Sequence, residues 1–220
     1  MKKKLSQNLN AQLKTYSIAA GAVVIASSNI NATIHHTNLG DGVVIDRTND
    51  TFAIDFGNDG STNFIINLEF TGSTALPYTL QIQPQTASAF VFSTGFSHNA
   101  QVLSFGDEVN NPSANWMNKS YTGILGARKT TFSGATTSYG SFHHTTNKYI
   151  GVQFKLNGNV NYGWVQVNVP GNPSYSIITG YAYNNEDDGN ITAGQVPEAG
   201  SLALLALGAI GLKAWRKQRF

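Results

Sequence analysis

Tyr149-Ile150-Gly151-Val152-Gln153-Phe154-Lys155-Leu156-Asn157-Gly158-Asn159-Val160-Asn161-Tyr162-Gly163-Trp164-Val165-Gln166-Val167-Asn168-Val169-Pro170 carries the clearest pattern in the 220-residue chain. Successive side chains of an extended strand point to opposite faces, so residues two apart share a face. Ile150, Val152, Phe154 and Leu156 therefore line one apolar face, and Val165, Val167 and Val169 line the next. Between them Asn157-Gly158 supplies the left-handed backbone of a tight hairpin turn, and Pro170 stops the second strand. Ile177 to Tyr183 provides one strand more. The opposite face of the middle strand bears Tyr162, Trp164, Gln166 and Asn168.

The same period runs back toward the N-terminus. Phe52, Ile54 and Phe56 alternate with polar or small residues; beyond a Gly/Asn/Asp turn, Phe64, Ile66, Leu68 and Phe70 do so again, as in a hairpin with one face on a core. Tyr78, Leu80 and Ile82 form another candidate strand before Pro84, and Ala87 to Phe92, apolar on both faces, reads as a central one. Phe105 to Lys119, with Asn110, Asn111, Pro112 and Trp116, breaks the pattern and reads as a long loop with a helical turn. The expectation is an all-β body over residues 33–195, a jelly-roll-like β-sandwich of two packed sheets. There is no cysteine, so no disulfide or thiolate serves this body, and a core must hold it together.

Both ends depart from this pattern. Lys2, Lys3, Lys4 and Lys14 precede the short apolar run Tyr16–Ile25 and the small residues Ala26, Ser27, Ser28 and Ala32, which reads as a secretory signal peptide helix within residues 1–32. At the other end, Val196, Pro197, Glu198 and Ala199 lead into a greasy segment containing Leu202, Leu204, Leu205, Leu207, Ile210 and Leu212, and the chain closes on Lys213, Arg216, Lys217 and Arg219. A helix from Ala199 to Trp215 would reach roughly 25 Å, just enough to cross a bilayer. Lys213 lies near enough to its end to snorkel, and the basic cluster belongs on the cytoplasmic side, leaving the body outside. Pro197, which has no backbone N–H to give, suits the boundary between linker and span.

Charge has to be recounted without these ends. Between Thr33 and Gln195 six basic side chains face eleven acidic ones, leaving the body near −5 although the whole chain is formally +2. Nucleic acid is therefore excluded as a natural partner. The polar positions are mostly Asn, Thr, Ser and Gly, a surface suited to a hydrated polysaccharide environment.

The order Val196-Pro197-Glu198, apolar run, Arg216 to Arg219 resembles a PEP-CTERM sorting signal, with Ala199 where the commonest form of the motif has its second proline. The resemblance covers about the last 25 residues. It implies recognition by exosortase, a membrane-embedded cysteine transpeptidase of bacteria that build exopolysaccharide matrices. It also implies export, an inner-membrane-anchored intermediate, and final residence at the cell surface or in the extracellular matrix. The string from Tyr149 through Gly163, Trp164 and Val165 to Tyr181 and Tyr183 is similar to a β-rich region often found directly ahead of such tails, to which no activity attaches.

Three constellations in the body are candidates for chemistry. Asp55, Asp59 and Asn63, with Asn58 and Gly60, resemble a calcium-binding loop, yet Gly57 stands at a ligand position and Ile66 where a bidentate glutamate belongs; a plain hairpin turn explains the same residues. Beyond this calcium candidate no cofactor is expected. His35-His36 and His143-His144 are adjacent pairs whose rings would diverge on strands, so they do not read as chelates; His98 stands alone, and loop histidines are the expected reading. Trp164 and Tyr162 on the outward face, with Trp116 in the long loop, would stack on sugar rings if exposed, whereas Trp164 would cover Gly151 or Gly163 if packed. Glu69 has no second carboxylate at a glycosidase spacing, and no nucleophile elbow, phosphate loop or metalloprotease motif occurs. The expected function is that of a non-enzymatic, surface-sorted structural or interaction protein. A carbohydrate-binding module is the alternative, and a hydrolase with a site assembled from distant residues the third.

Overall fold

The computed structural model describes residues 34–70, 78–87, 89–93, 98–110, 115–130, 135–171 and 175–197. The expected signal-peptide helix and transmembrane helix fall outside these residues. The described chain is all-β, with strands β1 (Ile34–Ile45), β2 (Thr51–Ile54), β3 (Phe64–Glu69), β4 (Tyr78–Pro84), β5 (Phe90–Ser93), β6 (Asn115–Met117), β7 (Gly123–Thr130), β8 (Thr136–Tyr139), β9 (Thr145–Leu156), β10 (Asn159–Val169) and β11 (Ser176–Asn184). They form two sheets, ordered β1-β11-β10-β9-β5-β6 and β2-β3-β4-β7-β8. All pairings between these strands are antiparallel.

The hairpin read from the opening stretch forms as expected. Asn157 and Gly158 both have positive φ, 53° and 89°, the conformation of the favoured two-residue hairpin turn, and Leu156 faces Asn159 across it. Gly163 permits a close approach in the same sheet: a β-carbon there would lie 2.6 Å from the Ala182 carbonyl oxygen.

The connections correct the jelly-roll part of the expectation. Consecutive strands pair as neighbours in β2-β3-β4, β5-β6, β7-β8 and β9-β10-β11, so most of both sheets is meander. Non-consecutive neighbours are confined to β1 with β11, β9 with β5, and β4 with β7. The predicted loop over 105–119 also contains β6, three residues paired to β5 through Phe92 and Trp116, and no helical turn among its described residues.

β1, β6, β7 and β8 are not expected from the pattern, for physical reasons. β1 is an edge strand whose first half, His35 to Asn38, is exposed, and its register with β11 shifts between Asn38 and Val43 around Gly40 and Gly42. β7 contains Gly123 and Gly126, and a β-carbon on Gly123 would meet Ile82, Val91 and Met117 at 3.0–3.3 Å. Both strands owe their place to pairing and close packing more than to an apolar period.

The two sheets share one apolar cluster, to which β3 and β4 contribute Phe64, Ile66, Leu68, Leu80 and Ile82, and β9 and β10 contribute Ile150, Val152, Phe154, Val165, Val167 and Val169. Its aromatic centre joins the sheets. Phe56 stacks on Phe154 with ring centroids 4.6 Å apart, and Phe64 and Tyr183 meet Phe154 edge-on at 6.4 and 5.6 Å. Phe154→Ala should therefore cost about 3–5 kcal/mol, a large share of the roughly 5–15 kcal/mol by which a domain is stable. Equilibrium denaturation of the body checks this, and a loss under about 1 kcal/mol would mean that the aromatic cluster is not the joint between the sheets.

Candidate functional site

The face of β10 that bears Trp164 is roofed. Two irregular segments, 98–110 and 185–197, lie over it, and Leu103, Val109, Ile191 and Ala193 from them form a second apolar cluster with Phe92, Tyr149, Trp164 and Ala182. The small residue opposite Trp164 lets this roof descend: a β-carbon on Gly151 would stand 3.1–3.3 Å from Leu103, Phe92 and Val109.

The roof is held by backbone hydrogen bonds. The Val109 N–H donates to the Ile191 carbonyl (3.0 Å), Ala193 N–H to Asp107 (2.8 Å) and Gly106 N–H to Ala193 (2.9 Å), while Leu103 and Tyr149 exchange bonds of 2.9 and 3.0 Å. At the end of this strap the Trp164 indole N–H donates to the Gln195 carbonyl at 3.0 Å. Gln195 is itself folded back, its N–H on the Thr192 carbonyl and its Oε1 receiving the Thr192 N–H, both at 3.0 Å. A buried indole needs an acceptor, and the strap carries the one it uses.

Trp164 is consequently 2% exposed, so of the two readings open in the sequence, a ring packed over its neighbours and a ring free to stack on sugar, the fold takes the packed one. The alternation placed it on the right face, and the strap closed that face. Tyr162 is half-buried; its hydroxyl accepts the Gln153 amide at 3.2 Å, and burial, with help from a hydrogen bond and the charge of Asp188, raises its pKa. Trp116 is half-buried too, tilted between Phe92 at 5.5 Å and Tyr162 at 5.9 Å. These rings are packing against protein and do not make a flat open platform.

The calcium candidates spend their oxygens on their own turn. The Asp55 carboxylate accepts the N–H of Asp59 (3.3 Å) and Gly60 (2.8 Å), and Asp59 Oδ1 accepts that of Ser61 (2.8 Å). Buried Asn63 caps the Phe56 N–H at 2.8 Å. Such side-chain caps are what hold an Asx-type turn between β2 and β3. Among the described residues no group of three or more His, Cys, Asp or Glu side chains gathers as a metal site.

The histidines divide. His35 stacks on Tyr183 at 4.9 Å and His36 leans on Trp164 at 5.7 Å, on opposite faces of β1 as alternation demands. His143 and His144 do not obey it, because they lie in the turn before β9: His144 has φ of 59° and the two rings are 3.9 Å apart. His143 Nε2 is hydrogen-bonded to the Gly171 carbonyl at 2.9 Å. Elsewhere a shallow depression of about 250 Å³ is lined by Arg47, Asp50, Leu68, Phe70 and Tyr78, with the Arg47 guanidinium over the rings of Phe70 and Tyr78 at 5.4 and 5.3 Å. The cation occupies the aromatic faces that a sugar would need.

Of the residues expected to serve sorting, Val196 and Pro197 stand exposed where the strap ends. Glu198 and Ala199, the apolar Leu202, Leu204, Leu205, Leu207, Ile210 and Leu212, and the basic Lys213, Arg216, Lys217 and Arg219 lie outside the described residues. Sequence reading missed the strap, although Ile191 and Ala193 stand two apart as a weak signal of it.

Comparison with known families finds the PEP-CTERM protein-sorting motif at residues 195–219. No curated protein and no solved structure matches the chain. The motif marks a protein sorted toward the cell surface through a membrane enzyme, exosortase.

Two measurements test this geometry. Millimolar calcium should leave the melting temperature unchanged, because the Asp55 and Asp59 oxygens already serve backbone donors; a rise of several degrees would restore a calcium site there. Although the His36 residue is exposed as a whole, its ring leans on Trp164, and the loss of water around it lowers its pKa from 6.5, so the fold favours the neutral ring. That contribution to stability is present above pH 6.5 and is lost as the pH falls below it, since the unfolded chain then binds the proton more readily. Tryptophan emission and melting temperature should both fall on acidification through this window, and His36→Gln should flatten that part of the profile.

Proposed function

We propose that this chain, which carries the PEP-CTERM protein-sorting motif at residues 195–219, is a delivered cargo whose body has no reaction of its own. In this reading residues 1–32 direct export, the body over 33–195 folds outside the cytoplasm, and residues 196–220 arrest the chain in the inner membrane. Leu202, Leu204, Leu205, Leu207, Ile210 and Leu212 supply the apolar span, and Lys213, Arg216, Lys217 and Arg219 hold its end inside. Exosortase then acts at or near Pro197 to Ala199, releasing the body to the cell surface or the exopolysaccharide matrix, where it serves as a structural or interaction protein.

The observation that carries this reading is a coincidence of boundaries. The sorting motif begins at residue 195, and Gln195 is the last residue of the strap whose carbonyl the buried Trp164 holds. Among the described residues the body's hydrogen bonds run up to Gln195, and a cut beyond Pro197 removes none of these. A non-enzymatic body is supported by where the acidic groups are spent: Asp55, Asp59, Asp46 and Asp107 each accept backbone N–H groups of their own turns, and Glu69 accepts the Gln81 amide at 3.1 Å. Neither an open aromatic face nor a converging carboxylate pair among these groups favours the lectin or hydrolase alternatives.

Intact mass of the protein recovered from its native envelope and medium tests the reading. A mature C-terminus between Val196 and Ala199 is the expected result, and Pro197→Ala with Glu198→Ala should leave the full-length species in the membrane fraction. Recovery of a mature protein that runs through Phe220 would make the tail a permanent anchor and remove the sorting step.

A further inference from the structure

Phe105 is 77% exposed and Val196 45% exposed, and the two flank the same point, Gly194. A β-carbon added to Gly194, which has φ of +81°, would come within 2.5 Å of the Phe105 ring and 2.8 Å of the Tyr149 hydroxyl. Phe105 is not a loose side chain on a loose loop. The turn that carries it is closed by Ser104 N–H to Asp107 Oδ2 (2.7 Å) and Asp107 N–H to the Ser104 carbonyl (3.1 Å), and it is bonded to the strap through Gly106 and Ala193. Lys148 reaches the same tip, with Nζ 3.0 Å from Ser104 Oγ, and Glu108 is exposed nearby in the chain. A large apolar ring is thus fixed in solvent at the root of the tail, with an ammonium beside it.

Covalent geometry limits what this ring can face. From Gln195, the last residue of the strap hydrogen-bonded to the body, to Leu202, the first leucine of the apolar segment, there are seven Cα–Cα steps, which reach about 25 Å at full extension. The interfacial layer on each side of the hydrocarbon is itself roughly 5–7 Å deep. The end of the strap, and the Phe105 tip bonded to it through Ala193, therefore stay within about 25 Å of the apolar segment for as long as the tail is in the bilayer, which leaves the headgroups within reach of the tip. We infer that the Phe105 tip, with Val196 and Pro197, is a contact surface for the lipid interface, which seats the body on the membrane before the chain is cut. Phe105 enters the interfacial layer and Lys148 faces lipid phosphate. The inference rests on the tail entering a membrane, as proposed above.

The chain contains no cysteine, so a single Ser104→Cys places one environment-sensitive fluorophore beside Phe105. The full chain is reconstituted in phosphatidylethanolamine/phosphatidylglycerol vesicles, with and without doxyl-labelled lipid, in the Phe105 and Phe105→Ser backgrounds; Tyr139→Cys, at another exposed aromatic, serves as control. The expected result is blue-shifted emission and several-fold stronger quenching at position 104 than at 139, lost in Phe105→Ser, with near-ultraviolet circular dichroism unchanged. Equal quenching with and without Phe105 would mean that the tether alone brings the tip close, and would overturn the contact. Failure of the full chain to float with the vesicles would sink the anchoring reading and the contact together, whereas flotation with a solvated reporter would sink the contact alone. A solvated reporter combined with slower processing of Phe105→Ser in cells would replace the lipid surface with a protein partner.

Discussion

A strand that is apolar on one face and aromatic on the other cannot leave either face in water, and β10 is such a strand. Val165, Val167 and Val169 look into the cluster shared by the two sheets, while Trp164 looks the other way. Covering an indole and its neighbours contributes a few kcal/mol, but only if the N–H finds an acceptor, since an orphaned donor would cost a comparable amount. The 185–197 strap meets both demands, supplying Ile191 and Ala193 as cover and the Gln195 carbonyl as acceptor.

This makes the end of the body a structural element in its own right. A sorting tail on a flexible spacer would let the body drift; here the backbone is bonded to segment 98–110 at Ile191 and Ala193 and to the core tryptophan at Gln195. The tail beyond Gln195 inherits that fixed starting point. The same segment bonds the turn that carries Phe105, through Gly106 and Asp107 to Ala193, so strap and tip are held to each other.

The surface elsewhere is consistent with a body that must avoid unwanted pairing outside the cell. The edge strands are β1, whose register with its neighbour is interrupted; β6, which is three residues long; and β2 and β8, each of four residues. Short or broken edges are poor templates for further strands. Acidic side chains that cap their own turns keep charge on the surface without offering convergent ligands.

The period-two strands β2, β3, β4, β9, β10 and β11, the Asn157-Gly158 hairpin and the sorting tail were legible in the chain alone, because alternation, turn dihedrals and a run of apolar then basic residues are local signals. The same pattern left open whether Trp164 packed or faced a ligand. Faces are set by alternation, but what covers a face is set by residues far away in the chain, and Trp164 and Gln195 are 31 apart. For the same reason β1 and β7 were illegible, since their place depends on a partner strand and on glycines that let neighbours close in. His143 and His144 sit in a turn, as the loop reading of the histidines has it, and the positive φ of His144 brings together two rings that a strand would have parted. It took the folded chain to bring the 104–107 turn to the root of the tail, through hydrogen bonds between segments some 90 residues apart that no local pattern encodes.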